Sequence, residues 1–293
     1  MQLFDVESLK QLYRPPKDSH KGMNGKLLVI GGSELFHASV FWAADVASRI
    51  VDLVHFSSPA MENNDLVRQR AKAGFWNGIV VPWERVEEYI AEDDCVVIGP
   101  GMPRESGEEK RDRDTGDVTN HLLGKFSTKN WVVDGGALQE MDVNLVPRTA
   151  ILTPHKGEFA QLVQKTQQDI GELSLEDQVK LVAKILGCTI LLKGVEDIVC
   201  SGGECDPNVC KPGECMKVNG GNEGMTKGGT GDVLAGLVGA LYCKNEAMLA
   251  AVAGSYINKK AGDNLYKRMG PFFNASDLVN ELPKVMKEEL GYV

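Results

Sequence analysis

Several things are scarce in this sequence, and each scarcity removes a class of protein. No run approaches the roughly 20 consecutive apolar residues of a membrane-spanning helix, so no membrane partner is expected. The opening stretch, MQLFDVESLKQLYRPPKDSHKG, lacks the basic start and apolar centre of a secretory signal. A cytoplasmic location is therefore expected. Basic residues are in deficit, with 32 Lys and Arg against 41 Asp and Glu, a net charge of −9. That balance argues against nucleic acid as a partner. It does not exclude a nucleotide, since one phosphate site needs only local donors. Internal repeats and low-complexity linkers are absent too. At 43% hydrophobic and 25% charged residues, the composition is that of an ordinary folded chain rather than a disordered or fibrous one.

What is present is an alternation. KLLVIGGS (26–33) reads as a buried strand ending in glycine, ASVFWAADVASRI (38–50) as a helix, and DLVHFSS (52–58) as the next strand. NDLVRQRAKAG and ERVEEYIAE read as helices around a short GIVV strand, and MPRESGEEKRDRDTGDVTN (102–120) as a solvated loop and helix start. DCVVIGPGM, WVVDGGAL, AILTPHKGEF and CTILLKG repeat the theme before two final helical blocks. Strands alternating with helices predict βαβ units around a mainly parallel sheet covered on both faces. The 293 residues are expected to form one such domain. Glycines and polar residues recur where apolar runs end, at Gly31, Gly99, Asp134, Thr153 and Lys193. Ligands of open α/β sheets bind outside those ends.

The densest signal is GGNEGMTKGGTGDVLAG (220–236), with seven glycines in seventeen positions. It matches neither familiar phosphate loop: Lys227 is followed by Gly228, not by Ser or Thr, and Gly229-Thr230-Gly231 lacks the third glycine of the dinucleotide fingerprint. Gly229, Thr230, Gly231 and Asp232 would instead open a helix whose first N–H groups face an anion. Asp232 there suits a general base toward an attacking hydroxyl. It also suits a plain helix cap.

GMTKGGTGDVLAG resembles the signature of the ribokinase-like superfamily, and more narrowly that of the ADP- or ATP-dependent NAD(P)H-hydrate dehydratases. HKGMNGKLLVIGGS (20–33), VVIGPGM (96–102), VVDGGAL (132–138), LTPHKGEF (152–159), LLKG (191–194) and ASDLVNELP (275–283) match in the same order. The resemblance implies a three-layer α/β/α sandwich with a mainly parallel central sheet. It implies a repair reaction on hydrated NADH or NADPH, in which the added hydroxyl is phosphorylated from ADP or ATP and the phosphate then leaves. Magnesium is expected with the nucleotide, and a homo-oligomer is expected from the family habit. About twenty residues precede HKG, so the N-terminal epimerase domain of many relatives is not expected here.

By the same resemblance, Asp232 is the base and Gly231, Thr230 and Gly229 form the anion hole. Lys193, Gly194, Val195, Glu196, Asp197 and Asn222 would line the nucleotide, with Gly231. Ser39, Gly99, Gly101, Asp134 and His155 would meet the hydrate, with Asp232. Each residue also has a plainer role: His155 as a loop histidine bonded to backbone, Lys193 as a strand-end lysine reaching water, Gly99 and Gly101 as turn formers around Pro100. Three features depart from the family. Gly136 stands where relatives carry the second acid of D-A-D-A-L, Ser39 where they have alanine, and Met102-Pro103 where a second glycine pair follows GPG.

CSGGECDPNVCKPGEC places Cys200, Cys205, Cys210 and Cys215 at a spacing of five. About 198–218 is expected to be a hairpin insertion. A zinc site, disulfides and free thiols are all compatible with that spacing. Two other functions share the glycine loop: a kinase of a small alcohol, sugar or vitamin precursor, and a nucleotide-binding regulator without turnover. The intact G-T-G-D speaks for an enzyme, and TPHKGE for the dehydratase branch.

Overall fold

A computed structural model describes residues 2–71, 77–104, 114–168, 170, 173–206, 209–211 and 213–292. The first half runs β1 (Gln2–Leu3), β2 (Lys26–Ile30), α1 (His37–Ala47), β3 (Leu53–Ser57), α2 (Met61–Ala71), β4 (Ile79–Val80), α3 (Val86–Glu92) and β5 (Cys95–Ile98). It continues through α4 (Thr115–Lys125), β6 (Asn130–Val133), α5 (Gly135–Glu140), β7 (Ala150–Leu152), α6 (Lys156–Lys165), α7 (Leu175–Leu186) and β8 (Thr189–Leu192). Strands β9 (Asp197–Cys200), β10 (Glu204–Asp206), β11 (Val209–Lys211) and β12 (Cys215–Val218) follow, then helices α8 (Thr230–Tyr242), α9 (Ala247–Met269) and α10 (Ala275–Glu289).

Ten strands form one sheet in the order β1-β12-β9-β8-β7-β6-β5-β2-β3-β4. Its pairings are parallel except those of β9 with β8 and β12. The alternation of side chains along each strand divides the core in two. Leu27, Val29, Cys95, Val97, Val132, Ile151, Leu191 and Val199 pack with α1, α8, α9 and α10 on one face. Leu28, Ile30, Val96, Ile98, Trp131, Val133, Leu152 and Ile190 pack with α3 to α7 on the other. Both faces are therefore dry, which is why the strands read as unbroken apolar runs. The layer order is the α/β/α sandwich expected.

Helix α8 is the buried centre of its layer, apolar nearly all round. Its glycines allow that depth: a Cβ at Gly236 would stand 2.3 Å from the Ala43 carbonyl oxygen on α1.

The strand order reverses between β2 and β5, the place where a crevice opens beyond the strand ends. Gly32 N–H donates to the Pro100 carbonyl at 2.8 Å and joins the two strand ends there.

The cysteine-rich stretch differs from a simple insertion. Its outer parts are β9 and β12, strands of the main sheet, and only the separate β10–β11 ribbon between them stands apart. Cys200 and Cys215, opposed in register, form a disulfide. That pair is therefore neither free nor available to zinc. The side chains of Cys205 and Cys210 lie outside the described residues, as do residues 105–113 of the charge-rich stretch, though its expected helix is present as α4.

Candidate active site

The ends of β6, β7 and β8 and the start of α8 meet at one point. Asp134 follows β6, opens α5 and is 3% exposed. Its Oδ1 accepts a hydrogen bond from Thr153 Oγ1 at 2.8 Å and another from Lys193 Nζ at 2.7 Å. Lys193 follows β8, and its backbone is tied to the end of β7 by a bond from its N–H to the Pro154 carbonyl at 2.8 Å. The strand-end lysine is thus held across the crevice by a buried carboxylate, with 19% of its side chain still exposed. Burial works against its charge, but Asp134 and Glu158 hold its pKa above the ordinary lysine value, with Asp232 adding to them.

The glycine loop delivers α8 to the same place. Gly229 takes φ +96°, and a Cβ there would lie 2.4 Å from Cζ3 of Trp42. Glycine is required on both counts. Thr230 Oγ1 donates back to the carbonyls of Met225 at 2.7 Å and Lys227 at 2.9 Å, which pins the loop under the helix. Gly229 caps α8 without a side chain, so none occupies the N–H groups of the first turn. A Cβ on Gly231 would be 3.4 Å from Lys193 Nζ; the ammonium borders the helix start. Cation and helix N-terminus together make a strongly anion-attracting corner.

Asp232 stands in this corner, partly buried. Burial pushes its pKa up to about 6, with the Asp134 charge adding to the rise, while a hydrogen bond from Ser39 and the Lys193 charge oppose it. Such a carboxylate is ionised at neutral pH yet a far better proton acceptor than an ordinary aspartate.

His155 opens α6 as its N-cap. Its Nδ1 accepts the N–H groups of Gly157 at 3.0 Å and Glu158 at 3.2 Å, and Glu158 Oε2 accepts the His155 N–H at 2.8 Å in return. An Nδ1 used as acceptor leaves the ring proton on Nε2. The ring is about half-exposed, and its Nε2 lies 3.6 Å from Glu158 Oε1. The plainer role of His155, a loop histidine bonded to backbone, is thus present.

Gly99 and Gly101 have φ of +116° and +71°, and a Cβ on either would fall within 2.3 Å of a backbone oxygen, of Asp134 or Phe36. They bring the β5 turn against Asp134 and Ser39. The same crowding explains the missing acid. A Cβ at Gly136 would meet the Met102 carbonyl oxygen at 2.2 Å, so Gly136 and the Met102-Pro103 departure are one feature: the backbone after β5 lies where a second acid would project.

The segment after Lys193 is less uniform than its sequence suggests. Val195 is 91% exposed, and Glu196 sits beside Lys217 at 3.6 Å. Asp197 is turned inward. It accepts the Gly194 N–H at 2.8 Å and Ser255 Oγ at 2.7 Å and faces Lys259 at 3.2 Å, so it shapes the turn rather than lining its outer side. Asn222 likewise works within its loop, accepting the Gly224 N–H at 3.0 Å and donating to Asp263 at 3.1 Å. Sequence reasoning missed Thr153 as a partner of Asp134, and missed Lys259 and Asp263 altogether. The sequence offered little local signal for Lys259, which is flanked by Asn258 and Lys260.

Among the described residues no group of three or more His, Cys, Asp or Glu is placed to hold a metal ion. Magnesium commonly keeps waters and takes substrate phosphates with one or two carboxylates, so this donor set fits an ion that arrives with a nucleotide. No helix among the described residues is long and apolar enough to cross a membrane.

Comparison with known proteins bears on this geometry. The family model for NAD(P)H-hydrate dehydratase matches residues 27–284. The bifunctional NAD(P)H-hydrate repair enzyme Nnr of Methanocaldococcus jannaschii is 34% identical over 287 residues, covering 95% of this chain and 51% of that protein. The ADP-dependent (S)-NAD(P)H-hydrate dehydratase of Nitrosopumilus maritimus is 32% identical over 289 residues, covering 92% of this chain and 91% of that protein. The chain thus spans about half the length of the bifunctional relatives and nearly all of the dehydratase. Among solved structures, a ribokinase-like superfamily protein from Enterococcus faecalis superposes with a TM-score of 0.77 at 21% identity, covering 98% of this chain and 96% of that one. The ADP/ATP-dependent NAD(P)H-hydrate dehydratase of Bacillus subtilis, co-crystallised with ATP and Mg2+, superposes with a TM-score of 0.74 at 22% identity, covering 98% of both. The fold is ribokinase-like.

Proposed function

The chain belongs to the NAD(P)H-hydrate dehydratase family, and from that premise we propose that it restores hydrated NADH and NADPH by nucleotide-dependent dehydration. The observation that carries the reading is the corner formed by Asp232, Lys193 and the uncapped start of α8. An aspartate whose pKa is raised to about 6 accepts the proton of the ring hydroxyl as that oxygen attacks the terminal phosphorus of the donor. The N–H groups of the first helical turn and the Lys193 ammonium stabilise charge on the transferring phosphoryl group. His155, donating from Nε2, orients the hydrate. Ser39, Gly99 and Gly101 shape its pocket.

The phosphorylated hydrate then loses phosphate. The lone pair of the ring nitrogen expels the leaving group, the adjacent ring carbon gives up a proton, and the reduced nicotinamide ring is restored. The sum is hydrate plus ADP to NAD(P)H, AMP and phosphate, or ADP in place of AMP when ATP is the donor. Magnesium, arriving with the nucleotide, would supply screening of the phosphate charge. ADP is the donor we favour, because a relative matched over 91% of its length is named for it. The reading includes a cytoplasmic location and a homo-oligomer, the latter checked by light scattering, and takes residues 1–293 as one domain.

Phosphorus NMR of the reaction mixture distinguishes this from a kinase of a small alcohol. Hydrated NADH, magnesium and ADP should yield inorganic phosphate in step with NADH. A stable phosphate ester as the end product would favour the kinase instead.

A further inference from the structure

Helix α9 reaches both arms of the loop system beside the anion corner through two residues one turn apart. Lys259 is 6% exposed. Its ammonium donates to the carbonyls of Gly194 at 3.0 Å, Val195 at 3.0 Å and Gly220 at 3.1 Å, which uses all three of its N–H bonds, and it faces Asp197 at 3.2 Å. Asp263 accepts the Gly221 N–H at 3.2 Å and Asn222 Nδ2 at 3.1 Å. One side chain thus grips the turn between β8 and β9, and both grip the start of the glycine loop.

The orientation of the peptide planes gives this grip a consequence. In a trans peptide the carbonyl and the following N–H point in opposite directions. Drawing the carbonyls of Gly194 and Val195 inward onto Lys259 turns the N–H groups of Val195 and Glu196 outward, on a turn whose tip at Val195 is 91% exposed. A buried ammonium is well suited to that work, since it offers charge and three donors in one compact group. An apolar side chain there would take this donor from three carbonyls and the counter-charge from Asp197.

We infer that Lys259 is a positioning residue for the phosphoryl donor, with Asp263 as its partner: together they fix the 194–197 turn and residues 220–222 in the arrangement that receives the nucleotide. The inference rests on the reading above that this turn meets the donor. Lys259, buried and with its three N–H bonds spent on carbonyls, acts through the donor-side loops it holds, so its loss should fall on the donor rather than on the hydrate.

The test uses the full chain and the variants Lys259→Met and Asp263→Asn. Calorimetry measures ADP and ATP binding, and steady-state assays measure KM for the donor and for hydrated NADH separately. Lys259→Met should raise donor Kd and KM on the order of tenfold or more, as loss of a group that sets binding geometry does. Hydrate KM should stay within about twofold. Asp263→Asn keeps the shape and should shift donor KM in the same direction by a smaller factor. It carries the test if circular dichroism shows Lys259→Met unfolded. A merely structural role would lower the active fraction and leave both KM values alone. Folded variants with donor Kd and KM within about twofold of the parent overturn the inference. A parent that binds neither ADP nor ATP overturns the functional reading first and the inference with it.

Discussion

Replacing Asp232 with asparagine should cut turnover steeply and, above about pH 7, make the protein more stable. The asparagine has the same shape and can still bond Ser39. What disappears is a charge that folding places at a disadvantage. The side chain titrates near 3.8 when unperturbed and near 6 in the folded protein. Between those values the native state holds a proton that the unfolded chain has released, so stability falls as pH rises through this window. At about 1.4 kcal/mol per unit the full cost of ionised Asp232 is about 3 kcal/mol. Partial exposure reduces it, and a gain of about 1–3 kcal/mol is expected for the variant. The gain should be complete above about pH 7 and absent below about pH 4. Denaturant titrations of both proteins at pH 8 and pH 4, read as midpoint shifts at constant m-value, measure it. Turnover should fall by about 10²–10⁴ with removal of a general base. An asparagine variant no more stable than the parent at pH 8, or equally stabilised at pH 4, would refute the claim that Asp232 is held at electrostatic cost for its function.

Parent turnover should show an acidic limb near pH 6, where Asp232 takes up its proton, and a flat profile from pH 5 to 8 would contradict the base assignment. Lys193→Met strips Asp134 of its buried counter-charge and should cost about 3–5 kcal/mol. If folded, it should also move that acidic limb upward, as seen in a pH–rate profile. Restoring the family acid by Gly136→Asp should destabilise by about 1–3 kcal/mol from overpacking against Met102 and should not raise turnover, as thermal melts and initial rates will show. Reducing the Cys200–Cys215 bridge, which closes a loop of sequence separation 15, should lower stability by up to about 3 kcal/mol. Melts with and without a thiol reductant measure that loss.

The fold was legible because the information it needs is local. Apolar runs ending in glycine were strands, and the helical periods between them became the covering layers. The site was legible where glycine marks close approach: Gly99, Gly101 and Gly229 each leave no room for a side chain. Where chemistry depends on which way a side chain turns, sequence was a weaker guide. Asp197 and Asn222 lie in the expected segments but spend their bonds inside the protein. Nothing in the local sequence marked Lys259 and Asp263, four apart on a helix, for the site. Their role exists only because β9 and β12 bring two distant loops over α9. Gly136 read as a loss. The structure makes it the space occupied by the chain after Met102.

The central claim is that the corner at Asp232 drives repair of a hydrated nicotinamide. The most direct test is near-UV absorbance of reduced nicotinamide after mixing the protein with hydrated NADH and magnesium, with ADP, with ATP, and with neither. The account predicts a rise that requires a nucleotide, is supported by ADP and vanishes in Asp232→Asn. No rise with either nucleotide, from a protein that binds them, would contradict it.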